Sequence, residues 1–118
     1  MKAVEFNQVI EDQLARSSDM LFSKNDAYNP DGDKLKNFKT AAELQGVNVK
    51  EALRGMMAKH TVSIYDMCGS DQIFPEDVWN EKITDSINYL LLLQAVVTEE
   101  REEKLAQLNQ AISEVSSL

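Results

Sequence analysis

Cysteine is nearly absent. Cys68 stands alone among 118 residues, which excludes an internal disulfide and any zinc site built on cysteines. Nothing around it reads as a nucleophile motif, so it is expected to be a structural thiol at a helix end in a reducing cytoplasm. Glycine occurs four times and proline twice, too few for the turns of an all-β fold. The longest apolar run is Tyr89-Leu90-Leu91-Leu92-Leu93, far short of the ~20 residues of a membrane span. The opening MKAVEFNQVIEDQ carries acids and lacks the apolar core and cleavage site of a signal peptide. Basic charge is scarce too. Twelve Lys and Arg against twenty Asp and Glu leave a net charge of −8, which disfavours a nucleic-acid polymer, whose phosphates need clustered cations.

What remains is an ordinary globular composition, with 43% hydrophobic and 27% charged residues. The length allows one domain, and the apolar spacing predicts four helices. Phe6, Val9, Ile10, Leu14 and Leu21 recur at three- and four-residue steps, an apolar stripe on a first helix over about 4–23. Asn29-Pro30-Asp31-Gly32-Asp33 is turn chemistry. It lacks the ligand ladder ending in a glutamate that an EF-hand calcium loop requires.

A short second helix is expected over about 37–45, stopped by Gly46. Asn48 followed by Glu51 predicts a capped third helix over about 49–67, with Leu53, Met56, Met57, Ile64 and Met67 as its apolar set. A close backbone approach would account for Gly55 inside it. Pro75 with Glu76 and Asp77 opens a fourth helix, with Trp79, Ile83, Ile87, Leu90 and Leu91 expected as its core stripe. That helix is long enough to run past Glu114. Beyond residue 98 the composition becomes charged, while Leu105, Leu108, Ile112 and Val115 keep a 3-4-3 spacing. The chain therefore divides into a helical domain, 1–98, and a C-terminal extension, 99–118, that is either a solvated tail or an oligomerisation segment.

The informative polar residues interrupt apolar stretches. Lys59, Ser63 and Asp66 fall at i, i+4 and i+7, beside His60, and Glu81, Asp85 and Asn88 repeat that spacing on the fourth helix. A short connecting loop favours antiparallel packing, which would set the two stripes face to face. Two carboxylates one turn apart can hold Mg²⁺ that bridges phosphates, and a lysine can neutralise a phosphate. A purely structural network is the competing reading. In it Lys59 pairs with Glu81 or Asp85, Asn88 fills the remaining hydrogen bonds, and helix register is set. Tyr28, Phe38 and Tyr65 are aromatic candidates to stack on a base.

Glu81-Lys82-Ile83-Thr84-Asp85-Ser86-Ile87-Asn88-Tyr89-Leu90 resembles the E-x-x-D-x-x-x-Y-L helix of all-α MazG-like and dUTPase-like nucleotide pyrophosphohydrolases. Lys24-Asn25-Asp26-Ala27-Tyr28, Asn37-Phe38, Lys59-His60 and Asp85-Ser86-Ile87-Asn88-Tyr89 are similar to small phage proteins grouped with nucleotide-modification-associated domains. The resemblance spans about residues 5–98. It implies an antiparallel all-α four-helix fold with a long last helix and a nucleotide site between the third and fourth helices. Lys82 stands where the pyrophosphohydrolase pattern has an acid, so binding ranks ahead of hydrolysis.

Three functions follow as expectations. The first is a phage-type protein of the host cytoplasm that binds a nucleotide or cyclic nucleotide without turnover, in nucleotide metabolism or against a defence signal. Lys59 and His60 would meet phosphate, Asn88 or Asn37 the base or sugar, and Tyr28 or Phe38 would stack, with Ser63 a further ligand-binding candidate. The second is a Mg²⁺-dependent nucleoside triphosphate pyrophosphohydrolase with Glu81, Asp85 and Asp66 on the metal. The third is a helical oligomer or adaptor. Homo-oligomers are expected in each case, with no membrane partner.

Overall fold

The computed structural model describes residues 1–26 and 32–118, the side chains of 23–26 excepted. Among the described residues the chain is all-helical, with four helices: α1 (Ala3–Asp26), α2 (Lys36–Gln45), α3 (Val49–Cys68) and α4 (Glu76–Ser116). Tyr28 and the Asn29-Pro30-Asp31 part of the expected turn lie outside the described residues.

Local chemistry sets the boundaries. Ahead of α2, the Asp33 carboxylate accepts from the Leu35 backbone N–H at 2.9 Å, a short loop bond typical of aspartate in turns. Gly46 ends α2 at φ 67°, and its N–H returns to the carbonyls of the last turn. That left-handed conformation is cheap only for glycine. Asn48 caps α3 by accepting from the Glu51 N–H at 2.9 Å. Pro75 precedes α4, and Phe74 meets Trp79 edge-on at 5.9 Å across that start. Nothing approaches within 4 Å of where a Gly55 side chain would begin, so no close backbone approach accounts for that glycine.

The hydrophobic core is small. Leu35, Leu53 and Val96 form its buried centre, with Phe38, Val49, Met57, Tyr89, Leu92 and Leu93 packed around them. It joins the loop before α2 to α3 and to the middle of α4. α1 packs on α4 alone. Its Cα atoms come within 8 Å of α4 but nowhere that close to α3 among the described residues. Leu21 and Phe22 line one groove with Leu91, Leu92 and Ala95, and Gln13 bonds Thr84 at 3.0 Å. α4 is thus the spine, with α1 against one side and α3, carrying α2, against another.

Two expectations about apolar faces are corrected. Ile83, Leu90 and Leu91 were expected in the core of α4, yet all three are exposed. The buried positions of α4 are Thr84, Asn88 and Val96. On α1 the expected stripe of Phe6, Val9, Ile10 and Leu14 is exposed as well. Among the described side chains of that helix Ser17, at 2% exposure, is the buried one, and it lies with Gln13 in the middle of the same stripe. α1 therefore presents polar atoms to α4 and leaves its apolar flanks uncovered.

Candidate functional site

Leu53, His60 and Met67 stand seven residues apart on α3, and Leu53 and Met67 are its large buried side chains. Residues seven apart share a helix face. His60 thus occupies the middle of the face that α3 turns towards α4. Asp85 and Tyr89 come up to it from α4. His60 Nδ1 lies 3.9 Å from Asp85 Oδ2, and the imidazole packs 4.9 Å from the Tyr89 ring at a 37° tilt. The distance to Asp85 is a charge contact when His60 is protonated and too long for a hydrogen bond.

Asn88 lies one turn beyond Thr84 on α4. It is 6% exposed, and neither its amide nitrogen nor its amide oxygen has a partner. His60 Nδ1, Ser86 Oγ and Arg16 Nε are buried and unpartnered too. A buried polar group without a hydrogen bond costs about 1–3 kcal/mol, and native proteins hold few of them. Of these, His60 and Asn88 lie nearest one another, since Asn88 adjoins Tyr89 on α4, whose ring packs against His60.

The α1 side of this region is better satisfied. Gln13 donates to Thr84 Oγ1 at 3.0 Å and to Ser17 Oγ at 3.2 Å, while Arg16 donates to Gln13 Oε1 at 3.0 Å. Gln13, Arg16, Ser17 and Thr84 were missed from sequence. The signal was present, because Gln13 and Ser17 interrupt an apolar stripe just as Asn88 does.

The expected site residues separate into two groups. His60, Asp85 and Asn88 lie in the unpartnered region, and Ser63 is half-buried one turn further along α3. Lys59, Asp66 and Glu81 are exposed, as is Asn37 on α2. Phe38 packs on the apolar core, and Tyr65 is 80% exposed. No ion pair joins Lys59 to Glu81 or Asp85 among the described residues. The network reading, with Asn88 saturated by that pair, is therefore corrected. The physical reason is rotation: Lys59 sits ~100° around α3 from His60 and faces solvent. Among the described residues no three His, Cys, Asp or Glu side chains are grouped to hold a metal ion. Cys68 is free and exposed at the last residue of α3.

A second polar region lies near the start of α3 and is built of ion pairs. Lys39 pairs with both Asp33 and Glu99, and Glu100 pairs with both Lys50 and Lys104. The hydrogen bond from Lys39, then the one from the Leu35 N–H, hold the Asp33 carboxyl below its ordinary range. Lys104 and then Lys50 do the same for Glu100. Asp33 and Glu99 in turn raise Lys39. A cleft of about 390 Å³ runs between Lys39, Asn48 and Glu103, but the lysines beside it are already paired with carboxylates. No family model matches the chain, and neither a curated protein nor a solved structure matches it.

Proposed function

We propose that this protein is a nucleotide-binding helical module whose ligand site is the polar region between α3 and α4. The carrying observation is Asn88, buried with both amide atoms unpartnered. A primary amide offers two donors and an acceptor, the pattern that a base edge or a ribose answers. His60 supplies a titratable imidazole at the same place, and Tyr89 supplies an aromatic face beside it. Antiparallel packing of α3 on α4 belongs to this reading. It is supported by Lys50 meeting Glu100 near the start of α3 while His60 meets Asp85 farther along. The similarity of the Lys59-His60 and Asp85–Tyr89 strings to phage proteins of nucleotide-associated type supports the ligand class.

The net charge of −8 does not oppose this, because local charge governs binding of one phosphate group. Lys59 stands beside His60 on α3 and can swing towards a phosphate at the mouth of the site. Binding without turnover is the preferred form. Mg²⁺-dependent pyrophosphohydrolysis through Glu81, Asp85 and Asp66 rests on the resemblance alone.

The test is a thermal-shift screen of the whole chain against nucleoside mono- and triphosphates and cyclic oligonucleotides, with and without Mg²⁺ and with product analysis. A ligand at a hundredfold excess over its Kd stabilises the fold by ~2.7 kcal/mol. A shift with ligand recovered intact, abolished in Asn88→Leu, is the expected result. Pyrophosphate released only with Mg²⁺, and lost in Asp85→Ala, would replace binding by hydrolysis. No shift with any nucleotide would sink both.

A further inference from the structure

A compact monomer of 13.3 kDa exposes about 6,500 Å². This chain exposes 9193 Å², an excess of about 2,700 Å² over that expectation. Its radius of gyration is 19.1 Å, against about 13.5 Å for a compact domain of this length. Standard protein interfaces bury ~800 Å² per partner. The excess is several times that, the scale of an obligate assembly.

The uncovered surface is ordered along α4. At 100° per residue, Ile83, Leu90, Leu105, Leu108, Ile112 and Val115 fall within an arc of about 80°, and all six are exposed. The arc lies away from Val96 and Tyr89, which face the core. Between Ile83 and Val115 it contains no Asp or Glu; Gln94 and the single cation Arg101 are the polar residues within it. Asp85, Glu99, Glu100, Glu102, Glu103 and Glu114 all fall on other sides of the helix. In a chain of net charge −8, this one side can meet its own copy without carboxylate opposing carboxylate. The 3-4-3 spacing of Leu105, Leu108, Ile112 and Val115 suits helix-on-helix packing.

From these features we infer that α4 pairs with α4 of a second copy of this chain through that stripe, in a two-fold interface. The exposed Phe6, Val9, Ile10 and Leu14 of α1 enlarge the face that assembly covers. A two-fold interface uses the same patch on both subunits, which a self-compatible apolar stripe permits. The inference does not depend on the ligand reading.

Sedimentation velocity and light scattering of the whole chain over a hundredfold concentration range test it. The expected result is a dimer or a multiple of it, with a melting temperature that rises with protein concentration. The double variant Leu108→Glu, Ile112→Glu lies far from the core around Leu53. It is expected to keep its helical signal at high concentration and to dissociate at a concentration at least tenfold higher than the parent. A folded monomer with a concentration-independent melting temperature would overturn the proposal. So would an unchanged assembly in that variant, since the face would then lie elsewhere. If the variant does not fold, the concentration dependence of the parent decides.

Discussion

The start and the middle of α3 meet α4 in opposite ways. Near Val49, the contact is apolar and bordered by ion pairs: Leu53 and Val96 are buried together, while Lys39 and Lys50 are tied to Glu99 and Glu100. Near His60, the contact is polar, with Asp85 and Tyr89 against the imidazole, and both His60 and the neighbouring Asn88 hold buried side-chain atoms without a hydrogen-bond partner. One helix pair thus carries a region that stabilises and a region that leaves stability unclaimed. Natural proteins concede stability where function requires groups to be kept available, and the proposed site rests on that difference.

The contrast can be broken by substitution, and the largest effect belongs to the apolar end. Leu53 is 0% exposed, and Leu53→Ala is expected to destabilise by ~2–5 kcal/mol through lost transfer energy and a residual cavity. Denaturant titration measures it. Asn88→Leu should do the reverse. Replacing an unpaired buried amide with an apolar group of similar size removes a cost of about 1–3 kcal/mol, so the variant should equal or exceed the parent in stability while losing any ligand response. Destabilisation as large as that of Leu53→Ala would make Asn88 a structural residue and end the comparison.

A smaller effect is expected where α1 meets α4. Thr84→Val removes the hydroxyl that accepts from Gln13 and should cost ~1 kcal/mol, because α1 has no other helix to hold it. The smallest effect is at Lys39, whose exposed pairs are screened by solvent. Asp33 is held below its ordinary 3.8, so its contribution is present above that pH and lost as pH falls through the lowered value. Lys39 is raised above its ordinary 10.5, so its contribution is present below that pH and lost as pH climbs through the raised value. The stability difference between the parent and Lys39→Met should therefore be small, flat from 3.8 to 10.5, and shrinking in stronger acid. A difference that changes at neutral pH would implicate another group.

How much of this was legible in the sequence follows element by element. The Gly46 stop, the Asn48 cap and the Pro75 start depend on residues within one turn of each other, so their chemistry reads directly from the string. His60, Asp85 and Asn88 were legible as polar interruptions of apolar helices. Their separation from Lys59, Asp66 and Glu81 was not, because the i, i+4, i+7 spacing defines a stripe without saying which stripe faces a neighbour. The heptad of Leu53, His60 and Met67 carried that information. The exposure of Phe6 and Leu14 on the same face of α1 that buries Ser17 was hidden as well, since periodicity reports an apolar face without reporting whether the same chain covers it.

Among the described residues, the sequence by itself determined the all-helical content, most helix boundaries and the absence of any helix long and apolar enough to cross a membrane. These depend on local dihedral preference, capping and hydrophobic period, which act over a few residues. Only the tertiary structure decided that α4 serves as the spine, that Asn88 lies buried without partners, and that a full-length stripe of α4 is left uncovered. Those depend on which helix face meets which, a choice made by burial summed over residues far apart in the chain.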